Sequence, residues 1–299
     1  MVRIRPARRD DLSDIVAVMN AVDVAQLGEA DTTEQDVAGG WEESGFDLEA
    51  DAFVAESQGR LMGYAELYHR GADDYDLDVF ADPGADPSPA GPLLDAALQR
   101  AQVHAGAGSR LATWVPVGDP TGEVYAERGF EPLRQFVRMR HSGDHVVAAP
   151  DAPHGVVVRQ FDAERDARAV YDVLRDAFAH HVRPMAETFE QFTERHMRHA
   201  DFNPAFWAVA VADGDIVGAI TAFNHGDIGF IRHVGVTADR RGRGIGGALV
   251  AWVLHELGVA GQRRVDLGVD VEDEVGAVRL YESLGFTTLQ RLQLVGRQL

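Results

Sequence analysis

Apolar residues recur along the chain in two rhythms, and each rhythm occurs once in either half. Between positions 163 and 178, Ala167, Val170, Val173, Leu174, Ala177 and Phe178 stand at helical spacing, which predicts an amphipathic helix with one buried face. A short β-like run ending at Arg159 and the charged turn of RQFDAERD precede it, and the first half repeats this order from Arg5 in RPARRDDLSDIVAVMNAV. The segments FVAESQGRLMGYAEL and WAVAVADGDIVGAITAF each read as two strands joined by a tight polar turn, Gln58-Gly59 and Asp213-Gly214, the signature of a β-hairpin. VYAERGFEPLRQF and LYESLGFTTLQRL stand near the two ends. Arg5 with Arg159, Gly63 with Gly218 and Gly129 with Gly285 align at nearly one offset, so the chain reads as a tandem duplication. The polar, proline-bearing stretch HSGDHVVAAPDAPHG (141–155) separates the copies and divides the chain into domains at 1–145 and 155–299.

Composition narrows the class. A chain of 299 residues, 45% apolar and 25% charged, has the length and balance of two soluble globular domains. The opening MVRIRPARRDDL lacks the apolar core of a signal peptide, and runs such as GALVAWVL are too short to span a bilayer, so a cytoplasmic protein without a membrane partner is expected. Cysteine is absent, which excludes disulfides, thiolate metal sites and a cysteine nucleophile. Lysine is absent too, so all 28 basic residues are arginine against a net charge of −20. Coding bias and salt adaptation both account for this. So acidic a surface repels a phosphate backbone, and no nucleic-acid partner is expected.

Against that background, TADRRGRGIGGALV (237–250) concentrates three arginines and four glycines. The strand-like FIRHVGV precedes it, the helix-like ALVAWVLHEL continues it and the strand-like RRVDLGVDV follows. A glycine-rich turn opening a helix is an anion site: the first N–H groups lack internal partners, the helix dipole adds positive character, and glycines admit a phosphate to the backbone. Arg241 and Arg243 add charge-assisted hydrogen bonds. Gly242, Gly244 and Gly247 also match G-x-G-x-x-G, with Asp266 or Asp270 as a ribose-binding acid. That dinucleotide reading is disfavoured because Thr237 to Arg241 separate the strand from the first glycine and little chain follows. A nucleoside-triphosphate loop needs a lysine the chain does not have. An arginine-glycine RNA-binding segment would not continue into an apolar helix, and solvated loop arginines remain the plainest alternative.

R-x-x-G-x-G at Arg241, Gly244 and Gly246, after HVGV and before AVRLYESLGF, resembles the acetyl-CoA-binding core of the GNAT family of N-acetyltransferases, and two such copies resemble the tandem type to which mycothiol synthase and its relatives belong. The resemblance covers the second half well and the first half weakly. It implies an α+β fold of two tandem GNAT domains, each a mostly antiparallel twisted sheet flanked by helices. It implies acetyl transfer from acetyl-CoA to a primary amine by direct attack, with acetyl-CoA as cosubstrate, no metal, and a small-molecule or peptide amine as acceptor. Carried over residue by residue, the pyrophosphate clasp is Arg241, Gly242, Arg243, Gly244, Ile245, Gly246 and Gly247, and pantetheine bonds the main chain of Val234, Gly235 and Val236. Tyr281 lies where relatives keep the tyrosine that protonates the departing thiolate, a role a phenol can fill for a leaving group of comparable basicity. Filling space on its helix is the alternative, since Tyr125 takes the matching place in the first half. Glu274 stands where the family often has an asparagine, which alters a cofactor contact or a helix-start cap.

The general base is not fixed by pattern. His233, beside the cofactor strand, leads, with Asp227, His225 and Glu187 as others. His180, His181, His196 and His199 lie on expected substrate-facing helices; His196 and His199 form H-x-x-H rather than H-E-x-x-H, so pocket lining or solvent exposure is favoured over a metal site. The first-half counterpart, DVFADPGADPSPAGPLLDAALQRA, places Asp82, Asp86 and four prolines at its turn, with no arginine before the helix. Prolines remove donors and carboxylates repel a diphosphate, so that half is expected to be structural or substrate-lining. Two other functions stay open: an acyl-CoA-sensing or partner-binding module without turnover and, more weakly, a nicotinamide-dependent oxidoreductase.

Overall fold

A computed structural model describes residues 2–43, 45–71, 73–106, 108–143, 148, 151–179, 181, 185, 187–198, 202–225, 228–271 and 275–299. The chain forms two compact units, Met1–Gln135 with Gln290–Leu299, and Phe136–Leu289. In chain order the elements are β1 (Arg3–Pro6), α1 (Leu12–Leu27), α2 (Glu34–Trp41), α3 (Leu48–Asp51), β2 (Ala52–Ser57), β3 (Arg60–Gly71), β4 (Asp74–Ala81), α4 (Ala90–His104), β5 (Arg110–Pro116), α5 (Thr121–Ala126) and β6 (Glu131–Ser142). There follow β7 (Val157–Gln160), α6 (Ala163–Ala177), α7 (Phe189–Phe192), β8 (Ala208–Ala212), β9 (Asp215–His225), β10 (Ile228–Val236), α8 (Ile245–Val259), β11 (Arg264–Asp270), α9 (Val275–Ser283) and β12 (Phe286–Gln298). No helix among the described residues is long and apolar enough to cross a membrane.

In the first unit the sheet order is β1-β2-β3-β4-β5-β12. Only β4 and β5 are parallel; the other neighbours run antiparallel. The second unit repeats the order as β7-β8-β9-β10-β11-β6, with β10 and β11 parallel and the rest antiparallel. This is the α+β, mostly antiparallel architecture expected from the sequence. The linear division at 145 and 155 differs from the compact units in one respect: the last strand of each half completes the other unit's sheet. Nothing in the alternation of FEPLRQFVRMR or FTTLQRLQLVG shows which β-edge it will join, because a strand's pattern specifies its faces and not its neighbours.

The duplicated anchors have physical causes. Arg5 donates to both carboxylate oxygens of Asp11, each at 2.7 Å, and Arg159 does the same to Asp166 at 2.5 and 2.9 Å. Burial works against the Asp166 carboxylate, but the Arg159 and Arg165 guanidinia and the Asp162 N–H together hold its pKa well below the usual range. Both hairpins close through two residues at positive φ, Gln58 and Gly59 at 53° and 77°, Asp213 and Gly214 at 54° and 92°, the geometry that matches strand twist. Gly63 and Gly218 are glycine because a helix lies on them: a Cβ at Gly63 would sit 2.6 Å from Leu93 Cδ1 of α4, and one at Gly218 would sit 3.1 Å from Ile245 Cγ2 and Leu249 Cδ1 of α8. The second unit's sheet is thus covered on one face by α8, through Leu249, Val253 and Leu257, and on the other by a cluster of Leu174, Phe192 and Trp207.

Candidate active site

The parallel register of β10 with β11 runs from Ile228↔Arg264 to Ile231↔Leu267 and stops there, although β10 continues to Val236 and β11 to Asp270. At the same level the pairing of β10 with β9 is bulged between Ile231 and His233, which bends the strand. The main chain of Val234, Gly235 and Val236 therefore borders a gap between two parting strands. Alternation sends Val234 and Val236 toward the α8 core and His233 and Gly235 toward α6. A Cβ on Gly235 would sit 2.9 Å from Leu174 Cδ2 and 3.0 Å from Ala177 Cβ, so this glycine is required by helix packing.

At the end of β10 the glycine-arginine turn opens α8. Gly242 and Gly244 have φ of 71° and 81°, a conformation only glycine adopts without strain. Gly244 is the N-cap, with no capping side chain and no acidic residue in the first turn, so the first N–H groups of a 15-residue helix face outward with its dipole behind them. Arg241 is tethered by its Nε to the Val236 carbonyl at 3.0 Å, and Arg243 donates to the Asp239 carbonyl at 3.1 Å. Both residues are exposed. The Ile245 side chain is buried, so only its main chain can meet a ligand, and Gly247 lets α9 approach, with Leu280 Cδ1 3.2 Å from where its Cβ would stand.

Tyr281 on α9 is buried in the core, its ring edge-on to Phe286 at 5.8 Å. Tyr125 repeats the arrangement with Phe130 at 5.0 Å, and its hydroxyl donates to the Leu77 carbonyl at 3.0 Å. Burial, with Asp78 adding to it, raises the Tyr125 pKa well above that of a free phenol. Glu274 lies outside the described residues, as do His180, His199, Asp227 and the side chain of His225.

His233 is partly buried between Phe178 and His196, whose rings lie 5.6 and 5.5 Å from its own, and its Nδ1 is 3.0 Å from Thr221 Oγ1. Burial, reinforced by His196 and Arg232, pushes its pKa well below the usual imidazole value. His196 is held at both nitrogens. Arg232 Nη1 lies 2.9 Å from Nδ1, and a guanidinium only donates, so the proton sits on Nε2 and is given to Glu187 Oε1 at 2.9 Å. Burial lowers the His196 pKa as well, against the pull of Glu187. Glu187 also accepts from Arg195 at 3.4 Å, and its carboxylate is thereby committed to orienting His196. His181 faces Asp270 at 3.9 Å.

A small cavity adjoins this group, lined by Arg195, His196, Trp207, Thr221, Phe223 and Arg232 among others. Of these, only His196 stood out in the sequence. The signal lay in the hairpin register, since Thr221↔His233 pairing puts both side chains on one face. Asp266 is not available to a ribose. It is fully buried and bonded by Arg138 and Arg140 of β6, at 2.7 to 2.9 Å, which corrects the dinucleotide reading for this residue, a structural ion pair; Asp270, the other acid of that reading, is buried as well and faces His181.

Residues 167–286 match the model of the acetyltransferase (GNAT) family. The chain is 33% identical over 244 residues to mycothiol acetyltransferase of Streptomyces griseus subsp. griseus, covering 79% of this chain and 76% of that one. It is 33% identical over 243 residues to mycothiol acetyltransferase of Kytococcus sedentarius, covering 78% and 77%. Among solved structures, a GCN5-related N-acetyltransferase from Sphaerobacter thermophilus superposes with a TM-score of 0.84 at 26% identity, over 99% of this chain and 95% of that one. A tandem GNAT protein from the clavulanic acid biosynthesis pathway superposes with a TM-score of 0.75 at 18% identity, over 100% and 98%, a likeness of fold.

Proposed function

Since the chain belongs to the GNAT family of acetyltransferases, we propose that its second unit moves an acetyl group from acetyl-CoA to the primary amine of a small molecule in one direct attack. The observation that carries this is the single line drawn by β10: its register with β11 opens after Ile231, His233 stands at the opening, and the uncapped start of α8 lies at its far end. A pantetheine arm hydrogen-bonded along Val234 to Val236 spans from one to the other, with the diphosphate on the N–H groups of residues 244–247 and on Arg241 and Arg243. The residues fit such a cosubstrate. Glycines at 242, 244, 246 and 247 leave no side chain to obstruct it, and two arginines offset its charge.

His233 is the base in this reading. Kept neutral by its surroundings, it gives Nδ1–H to Thr221 and leaves the Nε2 lone pair to take a proton from the ammonium, which frees the nitrogen lone pair to attack the thioester carbon. Orientation of amine and thioester supplies most of the rate, and Tyr281 returns a proton to the departing thiolate. No cysteine exists to carry an acyl-enzyme. The relatives' name, mycothiol acetyltransferase, supports a small-molecule acceptor.

The first unit is structural or substrate-lining in the same proposal. Its counterpart of the turn has Asp82 bonded to Arg60 and to the Gly84 N–H, while Ser88 Oγ accepts from the Ala90 N–H at the start of α4, so a loop donor and one donor of the helix start are engaged here. Titration calorimetry is expected to give one acetyl-CoA site per chain, and a panel of amines to release free thiol from it. Two equally tight sites would overturn the assignment of the units; binding with no thiol released by any amine would favour a sensor.

A further inference from the structure

The cavity beside His233 has walls of a particular chemistry, although the chain as a whole carries a net charge of −20. Arg195 and Arg232 both line it; no carboxylate stands among the described lining residues, and the Glu187 carboxylate bonds Arg195 and His196 from outside that lining. Arg232 lies over the Phe223 ring, 4.9 Å from its centroid, and reaches His196 Nδ1; Trp207, fixed by a 3.1 Å bond from its Nε1 to the Ala222 carbonyl, forms another wall. Aromatic walls lower the local dielectric and strengthen any charge pairing inside. The cavity is open on one side, and its volume of about 40 Å³ takes roughly three waters or one carboxylate. The cavity is continuous with the proposed reaction centre, because Thr221 lines it and bonds His233.

The fold does not impose this polarity. In the first unit the register pairs Glu66 with Asp78 where the second pairs Thr221 with His233, so the same place in the duplicate is acidic.

We infer that the acceptor is an amine that also carries a carboxylate, and that this cavity holds the carboxylate between Arg195 and Arg232 while the amine reaches His233. The inference rests on the acetyl-transfer reading and adds the substrate class to it. A guanidinium presents a planar fork of donors that matches a carboxylate edge to edge; Glu187 already draws on Arg195 at 3.4 Å and on His196 Nε2 at 2.9 Å, so an incoming carboxylate shares Arg195 with Glu187 and takes the remaining donors of Arg232.

Matched pairs of amines test it: glycine, β-alanine and γ-aminobutyrate against their carboxamides, with the full chain, read as thiol release from acetyl-CoA and as calorimetric binding in the presence of coenzyme A. At least one carboxylate is expected to exceed its carboxamide by about tenfold or more in kcat/KM and in affinity, the scale of a charge-assisted pair. Arg232→Gln and Arg195→Gln should each shrink that ratio toward unity by raising KM for the carboxylate, and Arg232→Lys should restore part of it. Equal use of carboxylates and carboxamides, or a ratio that survives both glutamine variants, overturns the inference and leaves acetyl transfer standing. Thiol release from no amine overturns the acetyl-transfer reading itself, and binding in the presence of coenzyme A then still decides between carboxylate and carboxamide.

Discussion

His233 shows how one residue takes its properties from the elements around it. In water an imidazole is half protonated near pH ~6.5; here burial, His196 and Arg232 all disfavour the cation. The ring is thereby neutral, and able to accept a proton, over the whole neutral range, at the expense of some of its basicity. The acid limb of kcat/KM is therefore expected well below pH 6.5, with a flat profile from there to pH 7, and His233→Gln should lower kcat about 10²-fold; a pH–rate series on both proteins checks this. The same shift has a cost in stability. The unfolded chain takes up a proton near pH ~6.5 and the folded chain does not, so this group's contribution is complete above that pH and is lost as pH falls through it. His233 was legible in the sequence because it precedes VGV, whereas Arg232, Thr221 and Trp207 were not. An exposed arginine and a strand threonine are ordinary residues until a hairpin register brings them to one wall.

At the scale of elements, the paired hairpins were plain from their turns and their alternation, and the glycine at each close approach could be aligned before its contact was known. What the alternation could not convey is that equal strands hold opposite chemistry. Glu66 on β3 pairs in register with Asp78 on β4, and burial together with that neighbour pushes the Glu66 pKa up to about 8, against the hydrogen bond from Tyr64 at 2.7 Å. The folded state thus holds a proton that the unfolded chain releases above pH ~4.3. Stability is expected to fall as pH rises from about 4.3 to about 8, by on the order of 5 kcal/mol, and to level off above that. Glu66→Gln should flatten the profile and gain most near pH 8, as urea midpoints at pH 5, 7 and 8.5 will report. The glycine-arginine turn was the most legible element, since its positive-φ glycines, uncapped helix start and arginines are all local properties. Asp266 was the least legible: its partners Arg138 and Arg140 lie more than a hundred residues away in sequence, and no spacing rule connects them.

At the scale of the whole molecule, duplication could be read and strand exchange could not, because the offset of the anchors is the same whichever sheet the final strands enter. The exchange changes what a separable domain is. A chain of residues 155–299 lacks β6, leaving β11 without its outer neighbour and Asp266 without its arginines, and it is expected to aggregate through that open edge. Residues 136–289, which carry all of the second unit, are expected to remain soluble and cooperatively folded; circular dichroism and size-exclusion chromatography of the two fragments decide the point. The exchange also sets an order in time. A ribosome releases the first 135 residues long before Gln290–Leu299, the strand that completes their sheet. Synthesis therefore runs one way while completion runs the other: the half made first waits with β5 exposed until the whole of its sister has been translated, and the cell's chaperones meet this protein as a nascent chain with an unfinished beginning.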